Sequence, residues 1–142
     1  MKRLILAISA IALVAGAAFA DPITERKALM KERGALVGQL APIAKGEQPF
    51  DAAKVAEVFA ALEANANKYH VEELITPDSM TGDTKASPRI WEDLAGFTAA
   101  VEKYRADVAS AVAAKPQDID AFRVEFGKIT SNCGSCHQAW RL

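Results

Sequence analysis

Soft metal-binding side chains are scarce in this 142-residue chain, which holds two cysteines, two histidines and three methionines. Two cysteines are too few for a scaffold built on disulfides. Aromatic residues make up only 7%, and neither sign of charge dominates, with 17 Lys and Arg against 18 Asp and Glu. That balance speaks against a basic nucleic-acid binder. An apolar share of 51% speaks against low-complexity disorder. Long apolar runs are missing too, except at the N-terminus.

There, Lys2 and Arg3 precede an apolar stretch from Leu4 to about Val14, and small residues end in Ala18-Phe19-Ala20. Charge, apolar run and small-x-small site in that order form a secretory signal peptide. The run is shorter than the roughly 20 residues a membrane span needs. Residues 1–20 are therefore expected to be removed, leaving one periplasmic domain over 21–142 with no integral membrane segment. Without Lys2 and Arg3, 15 basic residues face 18 acidic ones, a net charge of −3. In an oxidising compartment a cysteine pair three residues apart is expected to be bonded or chemically occupied.

The rest of the chain shows helical periodicity four times and no convincing alternating run of β-branched residues. Asp21-Pro22 opens a first helix running to about Leu40, with Pro42 and Gly46 as its stop. Asp51 caps a second, whose Val55, Val58, Phe59, Leu62, Ala66 and Tyr69 share one face. A connection from His70 to Ala86, rich in turn residues, reads as a long loop. Ser87-Pro88 opens a third helix carrying Ile90, Leu94, Phe97, Val101, Tyr104, Val108 and Ala111. After Pro116 the spacing is unbroken through Ile119, Phe122, Phe126, Ile129, Cys133, Cys136 and Trp140. The fold class is all-α: an antiparallel four-helix bundle, whose interior is where such folds build cofactor sites.

Cys133-Gly134-Ser135-Cys136-His137 lies on the inward face of that last helix. In C-x-x-C-H two thiols add across the vinyl groups of haem and the adjacent histidine ligates the iron. One covalently held haem c per chain follows, with Cys133 and Cys136 as thioethers and His137 as the proximal ligand. Trp140, a turn beyond Cys136, can pack on the macrocycle. A zinc site would need four ligands, and the cysteines and His137 leave only distant His70 to complete it. A thioredoxin-type dithiol would need a preceding strand. Only five residues follow His137, so a protein-derived sixth iron ligand must come from upstream. Met30, Met80 and His70 are the candidates; Met30 is in phase with Ile23 and Val37 on the first helix, whereas Met80 and His70 flank the loop.

These residues resemble the cytochrome c′ family of exported c-type cytochromes. The likeness spans nearly all of 21–142 and rests on Arg26-x-x-x-Met30, Lys45-Gly46, Pro49-Phe50-Asp51, Pro88-x-Ile90-Trp91 and Cys133-x-x-Cys136-His137-x-x-x-Arg141. It implies an up-down-up-down bundle with one haem in the core, Arg26 near a haem propionate and Arg141 near the proximal histidine. It also implies one of two behaviours. Low-spin members of the cytochrome c-556 type ligate a first-helix methionine and carry electrons; high-spin members leave the iron five-coordinate and bind NO or CO. Arg26-x-x-x-Met30 looks like the former pattern. The expected function is one-electron transfer between exported redox proteins, with His137 and Met30 as axial ligands. No general acid, base or nucleophile set points to an enzyme. In the alternative, Met30, Leu29 and Phe97 or Phe59 wall a gas pocket. Resemblance also implies a homodimer through the first two helices, although their outward faces show no large apolar patch.

Overall fold

The computed structural model describes residues 21–142, so the signal peptide expected over 1–20 lies outside the described residues. Asp21 starts the first helix: its carboxylate accepts the Thr24 N–H at 2.9 Å and Pro22 occupies the first turn of α1 (Pro22–Lys45). The expected stop near Leu40 is not observed. Pro42 lies inside α1, where a proline in the last turns forfeits one backbone bond while Leu40 and Ile43 on either side of it are buried in the core. Gly46 ends the helix instead, turning to φ +78° and donating its N–H to the Ile43 carbonyl at 3.0 Å.

Asp51 caps α2 (Ala52–Asn67) by accepting the Lys54 N–H at 3.0 Å, and all six residues expected on its inner face are buried. The connection expected to be loop from His70 to Ala86 holds one short helix, α3 (Val71–Leu74), and a 3-10 turn at Pro77–Ser79. Val71, Leu74 and Ile75 bury together there, which outweighs the surrounding turn residues. The third expected helix is two. The α4 turn (Arg89–Glu92) stops at Asp93, whose backbone leaves the helical region (φ −134°, ψ 66°) and whose side chain opens α5 (Leu94–Ala114) by accepting the Gly96 N–H at 2.9 Å. This break takes Leu94 out of the expected seam, and it lies 44% exposed while Ile90 and Phe97 are buried. The last helix, α6 (Ile119–Trp140), has the expected bounds and is capped by Asp118.

Each long helix packs on its neighbour in the chain, and α6 returns to α1, closing a four-helix bundle. Among the described residues there is no strand, only a bridge between Ala86 and Arg141. Two apolar clusters divide the interior. The larger joins Leu40, Val58, Phe59, Leu62, Val108, Phe122 and Ile129 from the four long helices. The smaller joins Leu29, Tyr69, Leu74, Ile75, Ile90 and Phe97, and so depends on the connection folding back over the bundle.

That return is fixed by polar side chains. Arg26, only 6% exposed, donates from Nη1 to the Leu74 carbonyl and to Ser79 Oγ (2.8 Å), and from Nη2 to the Ser79 carbonyl (2.9 Å). Trp91 Nε1 donates to the Thr76 carbonyl at 3.0 Å, and Arg105 donates to the Tyr69 carbonyl at 2.6 Å. Backbone bonds from Ser87 to Trp140 (2.9 Å) and from Leu142 to Lys85 (2.9 Å) then clamp the end of α6 to the same segment.

Candidate functional site

Between α1, α5 and α6 lies a cavity of about 1000 Å³, at the upper end of ordinary ligand pockets. Met30, Arg26, Cys133, Cys136, His137, Trp140 and Arg141, every side chain expected at a site, border it. Helical spacing explains the convergence: Cys133, Cys136, His137 and Trp140 fall within two turns of α6, and Arg26, Met30, Arg33 and Val37 recur at four, three and four residues on α1. His70 and Met80, the other candidate iron ligands, are exposed and do not border the cavity. Of the residues considered for a gas pocket, Met30 and Phe97 line it. Leu29 lies instead beneath the connection, and Phe59 in the larger cluster.

Both cysteines are free and half-buried. Burial pushes their thiols above the ordinary range, against the opposing charge of Arg33, so both are protonated at neutral pH. Burial, then the charges of Arg141 and Arg33, holds the His137 imidazole below its usual value. It is therefore neutral at pH 7, the form that ligates a metal. Arg141 follows as the C-cap of α6, its backbone N–H donated to the His137 carbonyl at 3.2 Å, and its side chain borders the cavity.

Met30 joins neither apolar cluster and is 38% exposed, whereas its neighbour Leu29 is buried. It borders the cavity and fills no gap in either apolar cluster. Aromatic rings form much of the wall: Phe97 meets Trp140 edge-on at 5.8 Å, with Tyr69 and Tyr104 beyond. The lining is strongly basic, with Arg26, Lys27, Lys31, Arg33, Lys85 and Arg141 against Asp83 alone. A flat apolar molecule carrying two carboxylates meets matching walls and matching charge here.

Two thiols and a neutral imidazole around such a cavity form the set that a covalently attached haem requires, with the Met30 side chain on the same wall. Zinc finds no such set: among the described residues no three His, Cys, Asp or Glu side chains are grouped so that they could hold a metal ion. A thioredoxin-type reading also fails, since the cysteines sit in the last third of a helix with no preceding strand among the described residues.

Sequence reasoning passed over Arg33, Asn65 and Asn132. Arg33 shares the α1 face of Arg26 and Met30, a signal that was available. Asn65 and Asn132 occupy buried positions on apolar faces, and only their hydrogen bonds reveal why they are tolerated.

Residues 21–141 match the model of the family described as Cytochrome C'. The chain is 35% identical to a cytochrome c-556 from Agrobacterium fabrum over 131 residues, covering 92% of this chain and 88% of that one. Among solved structures it is similar to a cytochrome c′ from Rhodopseudomonas palustris, with a TM-score of 0.79, 35% identity, and coverage of 87% of this chain and 97% of the other. It is also similar to a nitric oxide complex of a variant cytochrome c prime from Alcaligenes xylosoxidans, with a TM-score of 0.76, 26% identity, and coverage of 85% and 93%.

Proposed function

The chain belongs to the cytochrome c′ family of single-haem electron carriers, and on that premise we propose that it is an exported low-spin carrier ligated by His137 and Met30. One observation carries this reading: Met30 on α1 stands outside both cores and borders the same cavity as His137 on α6. The bound haem supplies a one-electron couple. Cys133 and Cys136 anchor it as thioethers. His137 gives a nitrogen ligand and Met30 a soft sulfur ligand, a pairing that raises the reduction potential. Phe97, Trp140 and Tyr104 keep water from the macrocycle, while the basic lining receives the propionates. Partner redox proteins of the periplasm deliver and remove the electron in transient, charge-steered contacts. Among the described residues no helix is long and apolar enough to cross a membrane. Cleavage after Ala20 would leave Asp21, the α1 cap, as the first residue.

A five-coordinate, gas-binding haem is the second reading, favoured by the similarity to a cytochrome c prime solved with nitric oxide. Absorption spectra separate the two. The reduced protein is expected to show sharp, split α and β bands that do not change under CO; a broad high-spin spectrum that shifts with CO would overturn the His137/Met30 pairing. Met30→Ala should open the iron to CO, and a variant that stays low-spin would remove Met30 as ligand. Haem should stay with the chain through a denaturing gel and leave it in a Cys133→Ser/Cys136→Ser variant.

A further inference from the structure

Arg33 has no part in the function described so far, yet on the cavity wall it is held between two tyrosine rings and a buried asparagine. Its guanidinium lies 4.1 Å from the centre of the Tyr104 ring and 5.9 Å from that of Tyr69. Its Nε donates to Asn65 Oδ1 at 2.9 Å. Asn65 is fully buried and is itself held, donating to the Leu29 carbonyl at 3.1 Å and to Glu32 Oε2 at 2.9 Å. A flexible side chain is thus fixed on three sides.

Its charge is uncompensated. Among the described residues no carboxylate pairs with Arg33; Glu32 binds Asn65 and lies 3.8 Å from Lys68 Nζ. Neither tyrosine neutralises it, because burial pushes the Tyr69 phenol up to about 12 and raises that of Tyr104 as well. The other basic lining residues differ. Lys27 pairs with Asp83, Lys31, Lys85 and Arg141 are exposed to screening solvent, and Arg26 spends its terminal N–H groups on the connection. Arg33 borders the same cavity as Cys133, Cys136 and His137, the residues that would hold the haem.

We propose that Arg33 sets the reduction potential of this cytochrome, as a fixed cation on the haem cavity that favours the reduced form. When a partner redox protein delivers one electron, the iron centre loses one unit of positive charge, with no bond made or broken and no proton moved. A fixed positive charge beside it therefore repels the oxidised form more than the reduced, and does so more strongly in a half-buried site than in water. The proposal rests on the cavity holding haem and is independent of whether Met30 ligates.

Redox titration of the haem-loaded protein, followed by its absorption bands, tests this. Arg33→Gln should favour the oxidised form by about tenfold, which is about 59 mV for one electron, with unchanged band positions. Arg33→Lys, which keeps the charge and loses the fork, should recover most of that shift. Arg33→Met, with its apolar stem still over Tyr104, gives the same reading as Gln if the Gln variant loads haem poorly. An Arg33→Gln potential equal to wild type, an Arg33→Lys loss as large as that of Gln, or a changed spectrum in either neutral variant would overturn the proposal. Absence of a haem band in the wild-type protein would instead fail the functional reading on which it rests.

Discussion

At one end of the bundle Phe50, Phe59, Phe122 and Phe126 pack ring against ring, with centroids 5.4–6.1 Å apart, among Leu40, Val58, Leu62 and Val108. At the other, Phe97, Tyr69, Tyr104 and Trp140 surround a cavity, and Arg26, Asn65 and Ser79 are buried beside them. The first end satisfies itself with apolar contacts from four regular helices. The second needs the folded-back connection, three long polar side chains and the C-terminal clamp to stay in shape. Stability and chemistry are thus divided along the bundle axis, so substitutions at the two ends should differ in what they damage and not only in how much.

The sharpest break in that division is Phe122→Ala. Phe122 is fully buried and touches three other rings, so truncation should cost about 3–5 kcal/mol in a urea titration. Because it does not border the cavity, the haem absorption bands should stay where they are. A shifted spectrum with this variant would mean the closed end also tunes the site.

Arg26→Met tests the opposite end with a smaller effect. The Met stem replaces the apolar part of the arginine, but the Leu74 carbonyl and the Ser79 groups lose their donors. Leaving such buried acceptors unmet should cost about 2 kcal/mol. The loss should be local, seen as faster amide exchange and proteolysis over residues 74–84 while the larger cluster keeps its protection. Uniform loss of protection would show that the two ends unfold as one unit.

How much of this was legible in the sequence follows the same division. The spacing of α2 and α6 gave their bounds and inner faces because each has a strong cap and one continuous apolar stripe. The C-x-x-C-H run was legible because its chemistry requires those residue types in that order, and the helical phase of Met30 on α1 placed it on the cavity wall. Contacts distant in sequence were not. Arg26 reaches partners 48 and 53 residues away, which no periodicity encodes. Pro42 resembles a stop, yet burial of Leu40 and Ile43 carries the helix past it to a glycine that can adopt the left-handed turn. Arg33 reads as one more surface charge until Asn65 and the two tyrosines are placed around it.

The smallest expected effect lies at Asp93, where one unbroken helix was expected and two are found. Its carboxylate caps α5 and folds over Gly96, so that a Cβ added at residue 96 would collide with Asp93 Oδ2. Asp93→Ala alone should cost about 1 kcal/mol by removing the cap. Gly96→Ala alone should bring little net change, because the helix-propensity gain is offset by displacement of the same carboxylate. With Asp93 already Ala, however, Gly96→Ala should become stabilising by up to about 1 kcal/mol. The sign of the Gly96 substitution thus depends on whether Asp93 is present. A double-mutant cycle by thermal denaturation reads that coupling directly. Additive effects would mean that the carboxylate does not hold the break, and that the cavity end owes its kink to the packing of Ile90 and Phe97 on either side of it.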